Sequence, residues 1–154
     1  MSQDPISNFI ENILIIVSNL PSEIRNTIIK KRLKEFNEFD ETEKKEIIKN
    51  IINNYEKIDR SKILNLFESW IISLAEMDNS SINSIFNSYM LELHANPDIL
   101  QGFDNSFILS MLKVFNHLDA NKREKLWNCF IESVFNTPDP ANFAKLIPEF
   151  MLKS

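Results

Sequence analysis

The sequence holds one glycine, one cysteine, two histidines and five alanines in 154 residues, and each scarcity removes a class of chemistry. Ordinary chains carry ~7% glycine. Phosphate loops, dinucleotide fingerprints and nucleophile elbows need backbone that turns sharply or approaches a ligand closely, and Gly102 alone cannot build them. Cys129 has no partner for an internal disulfide. His94 and His117 are too far apart in sequence for an i,i+4 metal pair, and Cys-x-x-Cys is absent. Acidic residues are plentiful, but nothing in their spacing singles out two of them as an acid–base pair. The expectation is a non-enzymatic protein with no cofactor and no metal site.

Long apolar runs are also missing. The most apolar stretch, Ile13–Val17, is followed by Ser18 and Asn19, which is too short for a membrane span. Met1-Ser2-Gln3-Asp4-Pro5 has no basic region of the kind a signal peptide needs. The expected location is cytoplasmic, with no membrane partner. Positive charge is in deficit, with a net charge of −5 and most of the excess in residues 61–154. An acidic surface repels phosphate backbones, so nucleic-acid binding is disfavoured. The local exception is Lys30-Lys31-Arg32 with Lys34, which keeps a weaker nucleic-acid reading alive.

What is present is a repeat. Isoleucine (22) and asparagine (19) dominate the composition, and 44% of the residues are hydrophobic, as in a folded domain. Joints at Pro21, Asp40, Asp59, Asp78, Asp98, Asp119 and Asp139 divide the chain into phrases of 19 to 21 residues. Counting back from each joint, apolar residues recur at 4, 7, 8, 11 and 12 places, as in Val17–Leu14–Ile13 and Leu74–Ile71–Trp70. That spacing traces one side of an α-helix, and no period-2 pattern competes with it. An Asp at a joint suits an N-cap, because its carboxylate accepts hydrogen bonds from the orphan N–H groups of the next helix. Asp40 with Glu43 spells a capping box, and Ile58–Ile63 and Met77–Ile82 have hydrophobic-staple spacing around Asp59 and Asp78. Lys44 and Arg123 stand where Asp40 and Asp119 would need the staple.

The expected architecture is therefore one all-α domain over residues 1–154, with seven to eight antiparallel helices. It is either a HEAT-like helical-repeat stack, since two phrases match that period, or a compact helical bundle. The eighth helix is expected to be shorter, roughly residues 141–152. The fifth joint is the weak point. Pro97 ends a helix, and Gly102, Asp104 and Asn105 delay the next, so the sixth helix should start properly at Asn105 after a turn over residues 98–101. Residues 94–105 are the place for a hinge or binding loop.

Departures from the columns supply the candidate binding residues. Arg32 sits eight before Asp40 in an otherwise apolar column, either as a part-buried guanidinium awaiting a carboxylate or as a snorkelling side chain. His94 replaces an apolar residue four before Asp98, as a ligand or as a helix C-terminal histidine. Asn87, Asn128 and Glu132 break two further columns. The seventh helix carries two of these breaks beside Trp127, so it is a candidate groove wall, with Trp127 as an anchor and Glu132 as a polar contact. Trp127, Phe135, Phe143, Phe150 and Met151 should gather near helices 7 and 8.

The leading functional expectation is a protein–protein interaction module, a scaffold or adaptor that binds another protein or a second copy of itself. The alternative is a carrier that holds an apolar small molecule between helices, with Arg32 or His94 as its polar handle.

Overall fold

The computed structural model describes residues 5–102 and 104–146. They form eight α-helices: α1 (Pro5–Ser18), α2 (Ser22–Glu38), α3 (Glu41–Asn54), α4 (Arg60–Ala75), α5 (Asn79–Ala95), α6 (Asn105–Phe115), α7 (Ala120–Phe135) and α8 (Pro140–Leu146). Two 3₁₀ turns, Tyr55–Lys57 and Pro97–Gly102, interrupt the series, and no strand occurs among the described residues. The all-α expectation holds. So does the delayed start of α6 at Asn105. The expected end of the eighth helix, with Phe150 and Met151, lies outside the described residues.

Three aspartate joints, with Asp104, act as helix caps. The carboxylates of Asp40, Asp78, Asp104 and Asp119 accept from the backbone N–H three residues on, at Glu43 (2.8 Å), Ser81 (2.7 Å), Phe107 (2.8 Å) and Lys122 (2.9 Å). Asp104, not Asp98, is the cap of α6, because the 3₁₀ turn occupies the intervening residues. The cap hydrogen bond from Ser81 holds the Asp78 carboxyl below its usual value of 3.8, and the Glu43 N–H does the same for Asp40.

The chain divides into two compact units, Met1–Leu74 and Ala75–Ser154. In the first, α1 packs on α3 and α2. Among the described residues, Val17, Leu33, Phe36, Ile48, Ile58, Ile71 and Leu74 are its buried apolar side chains, with Ile48 and Leu74 wholly enclosed. In the second, α7 packs on α5 and α8. There Met90, Val134 and Phe143 form a cluster, covered by Tyr89, Leu93, Phe130 and Ala144. The main helix pairs, α1 with α3 and α5 with α7, join alternate helices. Two hydrogen bonds show the direction of the second pair. Asn83 Nδ2 donates to Glu132 Oε2 (3.4 Å), and Asn136 Nδ2 donates to Asn87 Oδ1 (3.4 Å). One turn along α5 therefore matches one turn along α7, and the two run parallel, as alternate members of an up-and-down series do.

The structure corrects the repeat register at two joints. Counting from Asp139 puts Phe135, Glu132 and Asn128 in the apolar columns, yet all three are exposed. Counting from Pro138 puts Val134, Ile131, Phe130, Trp127 and Leu126 there, and each is buried or half-buried. Counting from Pro97 instead of Asp98 likewise yields Leu93, Met90, Tyr89, Phe86 and Ile85, again all buried or half-buried. Those joints hold one extra residue between the last column and the next cap. The spacing from the preceding joint is then 19 residues in both cases, the same as in the first phrases.

Candidate functional site

The register decides which candidates face outward. His94, Asn87, Asn128 and Glu132 no longer interrupt an apolar column; they stand beside it. Glu132 is exposed and accepts from Asn83, closing one rung of the α5–α7 ladder. His94 is half-buried in the last turn of α5, and its ring centroid lies 5.7 Å from that of Phe143. Trp127 is not a free anchor. It lies half-buried in an aromatic row, 6.3 Å from Phe115 and 5.6 Å from Phe130, with Phe130 meeting Phe86 edge-on at 6.3 Å. Phe143 is 2% exposed and belongs to the core, so it presents nothing to a partner. Phe150 lies outside the described residues. Trp127, Phe135 and Phe143 therefore form no single patch, because α7 turns Trp127 into the aromatic row and α8 places Phe143 in the core.

Phe135 is different. It is 70% exposed at the end of α7, the most exposed of the large apolar side chains described. It extends one continuous outward row of α7, Asn121–Glu124–Asn128–Glu132–Phe135, at steps of three and four and exposed at every position. Leu91 on α5 is 45% exposed, one turn beyond Asn87.

Arg32 takes the solvent-facing of its two readings. Its side chain is 63% exposed and pairs with Glu35 on the same helix at 2.8 Å. The guanidinium that is buried is Arg25, at 5% exposure, which the column reading passed over. Arg25 Nε donates to Ser69 Oγ (2.7 Å), Nη1 donates to the Leu20 carbonyl (2.9 Å), and Nη2 lies 3.8 Å from Glu68 Oε1. Ser69 in turn donates to Asn26 Oδ1 (2.5 Å). A buried charge survives only when its donors are used in this way.

Arg25 has relatives by position. Arg25, Lys44 and Arg123 each stand four residues after a joint, where Ile63 and Ile82 supply apolar staples. Each basic side chain reaches back to the segment before its helix. Arg123 Nη1 donates to the Asn116 carbonyl (3.2 Å), and Lys44 Nζ sits 5.8 Å over the Phe36 ring. Lys125, further along α7, reaches instead to the joint before α5, donating to the carbonyls of Ala75 (3.4 Å) and Met77. Cations on the open carbonyls at a helix end satisfy acceptors and offset the dipole. The signal was present in the sequence as missing staples at Lys44 and Arg123.

Several other buried polar side chains bond the carbonyl three or four residues back. Asn50 and Asn54 donate to the carbonyls of Glu46 (2.9 Å) and Asn50 (2.7 Å), and Ser18, Ser133 and Thr137 to those of Ile15, Phe130 and Val134. Buried Glu92 accepts from Asn96 Nδ2 (3.0 Å). Burial, and then the Glu132 carboxylate, push the Cys129 thiol up, which makes it a poor nucleophile. Among the described residues no three His, Cys, Asp or Glu side chains converge as a metal site, and no helix is long and apolar enough to cross a membrane.

The chain matches no protein-family profile, no curated protein and no solved structure.

Proposed function

We propose that this chain is a non-enzymatic protein-interaction module, a small helical-repeat scaffold that presents the outward row of α7 to a protein partner in the cytoplasm. The observation that carries the reading is Phe135. A phenylalanine side chain left 70% exposed forgoes about 2 kcal/mol of burial, and a row of Glu and Asn rims it on its own helix. The buried cations and amides support the reading from the other side, since each is engaged in holding a helix end or its own helix. The 19-residue register and the pairing of alternate helices suit a stack of repeats. A single buried thiol suits a reducing compartment.

The test compares proteins that co-purify from native lysate with the wild-type chain and with Phe135→Ser. Partners held by the wild type and released by the variant support the reading. An identical set on both, or none on either, counts against it.

A further inference from the structure

We propose that one occupant of the α7 row is a second copy of this chain, which docks the outward face of its α2 antiparallel against α7. The proposal rests on the reading of the chain as an interaction module and names the partner.

The two rows match position by position. On α2, Ile24, Thr27, Lys31, Lys34 and Glu38 follow steps of three and four and are all exposed, with Ile24 at 51%. On α7, Phe135, Glu132, Asn128, Glu124 and Asn121, read towards the N-terminus, follow nearly the same steps. Each row is about 20 Å long at 1.5 Å per residue. Antiparallel docking sets Ile24 on Phe135, the two exposed apolar residues of these rows, Thr27 opposite Glu132, Lys31 opposite Asn128 and so between Glu132 and Glu124, and Lys34 opposite Glu124. Glu38 then falls on the neutral Asn121. Parallel docking instead puts Phe135 against the Glu38 carboxylate and Ile24 against an amide, which buries charge without a partner. Charge complementarity and the apolar pair thus choose the same orientation.

The contact joins two different faces, so it is heterologous, and a docked pair keeps one free face of each kind, α2 on one copy and α7 on the other. Such contacts close into rings or run on as open chains. Repulsion between like copies of either face also disfavours a two-fold pairing of α7 with α7.

Sedimentation velocity over a concentration series in low salt tests the proposal. The expected result is a sedimentation coefficient that rises with concentration and falls back in high salt, where charges are screened within about 3 Å at 1 M. Lys31→Glu/Lys34→Glu and Glu124→Lys/Glu132→Lys should each remain monomeric alone. Mixed together they should associate again, because each restores the complement of the other. Phe135→Ser should lose association while its far-ultraviolet circular dichroism is unchanged. A wild-type chain that stays monomeric in low salt, or assembly that both charge reversals leave intact, overturns the proposal. A monomer that still captures a different protein through Phe135 overturns self-docking and leaves the module reading standing. A monomer with no such capture removes both.

Discussion

At the residue scale, two arginines on one helix do opposite work. Arg25 is enclosed and its donors are taken by Ser69 and the Leu20 carbonyl, with Glu68 close by. Arg32 lies in solvent with Glu35. Hydrogen bonds from a charged group contribute about 1.5–3 kcal/mol, and removing a buried partner strands the others. Arg25→Met should therefore lower stability by about 2–3 kcal/mol in urea unfolding, while Arg32→Met should stay within about 0.5 kcal/mol of wild type. A second prediction concerns acid. Because its folded pKa is depressed, Asp78 contributes stability that is present above the unfolded value of 3.8 and is lost as pH falls through the lower folded value. The stability gap between wild type and Asp78→Asn should be steady near neutral pH and shrink below about pH 4, read as thermal midpoints against pH.

At the element scale, the joints govern how each helix is aimed. Asp104 caps α6 after the Pro97–Gly102 turn, and Asp104→Ala should cost about 0.5–2 kcal/mol, checked by thermal unfolding. Lys125 of α7 holds the carbonyls of Ala75 and Met77. Lys125→Met should make residues 75–78 the first site of limited proteolysis, and unchanged cleavage would show the clamp to be idle. Helix count, caps and the late start of α6 were legible in the sequence because apolar period and Asp placement are local signals. The outward faces of α5 and α7 were misread for an equally local reason. Aligning the helix columns on Asp98 and Asp139 treats the cap as a fixed distance from the previous helix, but both joints hold an extra residue, which rotates every column by ~100°. Apolarity itself carried the correction, since Pro97 and Pro138 restore fully apolar columns. Arg25 escaped because a buried cation depends on Ser69 and Glu68, which lie 44 and 43 residues away and meet it only in the fold.

At the scale of the molecule, each unit encloses its charges at helix ends and leaves its outward rows free. The two phenylalanines near the end of the described chain divide along that line. Phe143 closes the Met90–Val134 cluster, and Phe143→Ala should cost about 3–5 kcal/mol. Phe135 stabilises nothing inside, and both functional proposals depend on that. The most direct measurement is urea unfolding of Phe135→Ser beside the wild type. The expected free energy of unfolding lies within about 0.5 kcal/mol of wild type, as for a surface substitution. A loss of about 2 kcal/mol or more would mean that Phe135 is a core residue, and would contradict the claim that the outward row of α7 is kept for contact.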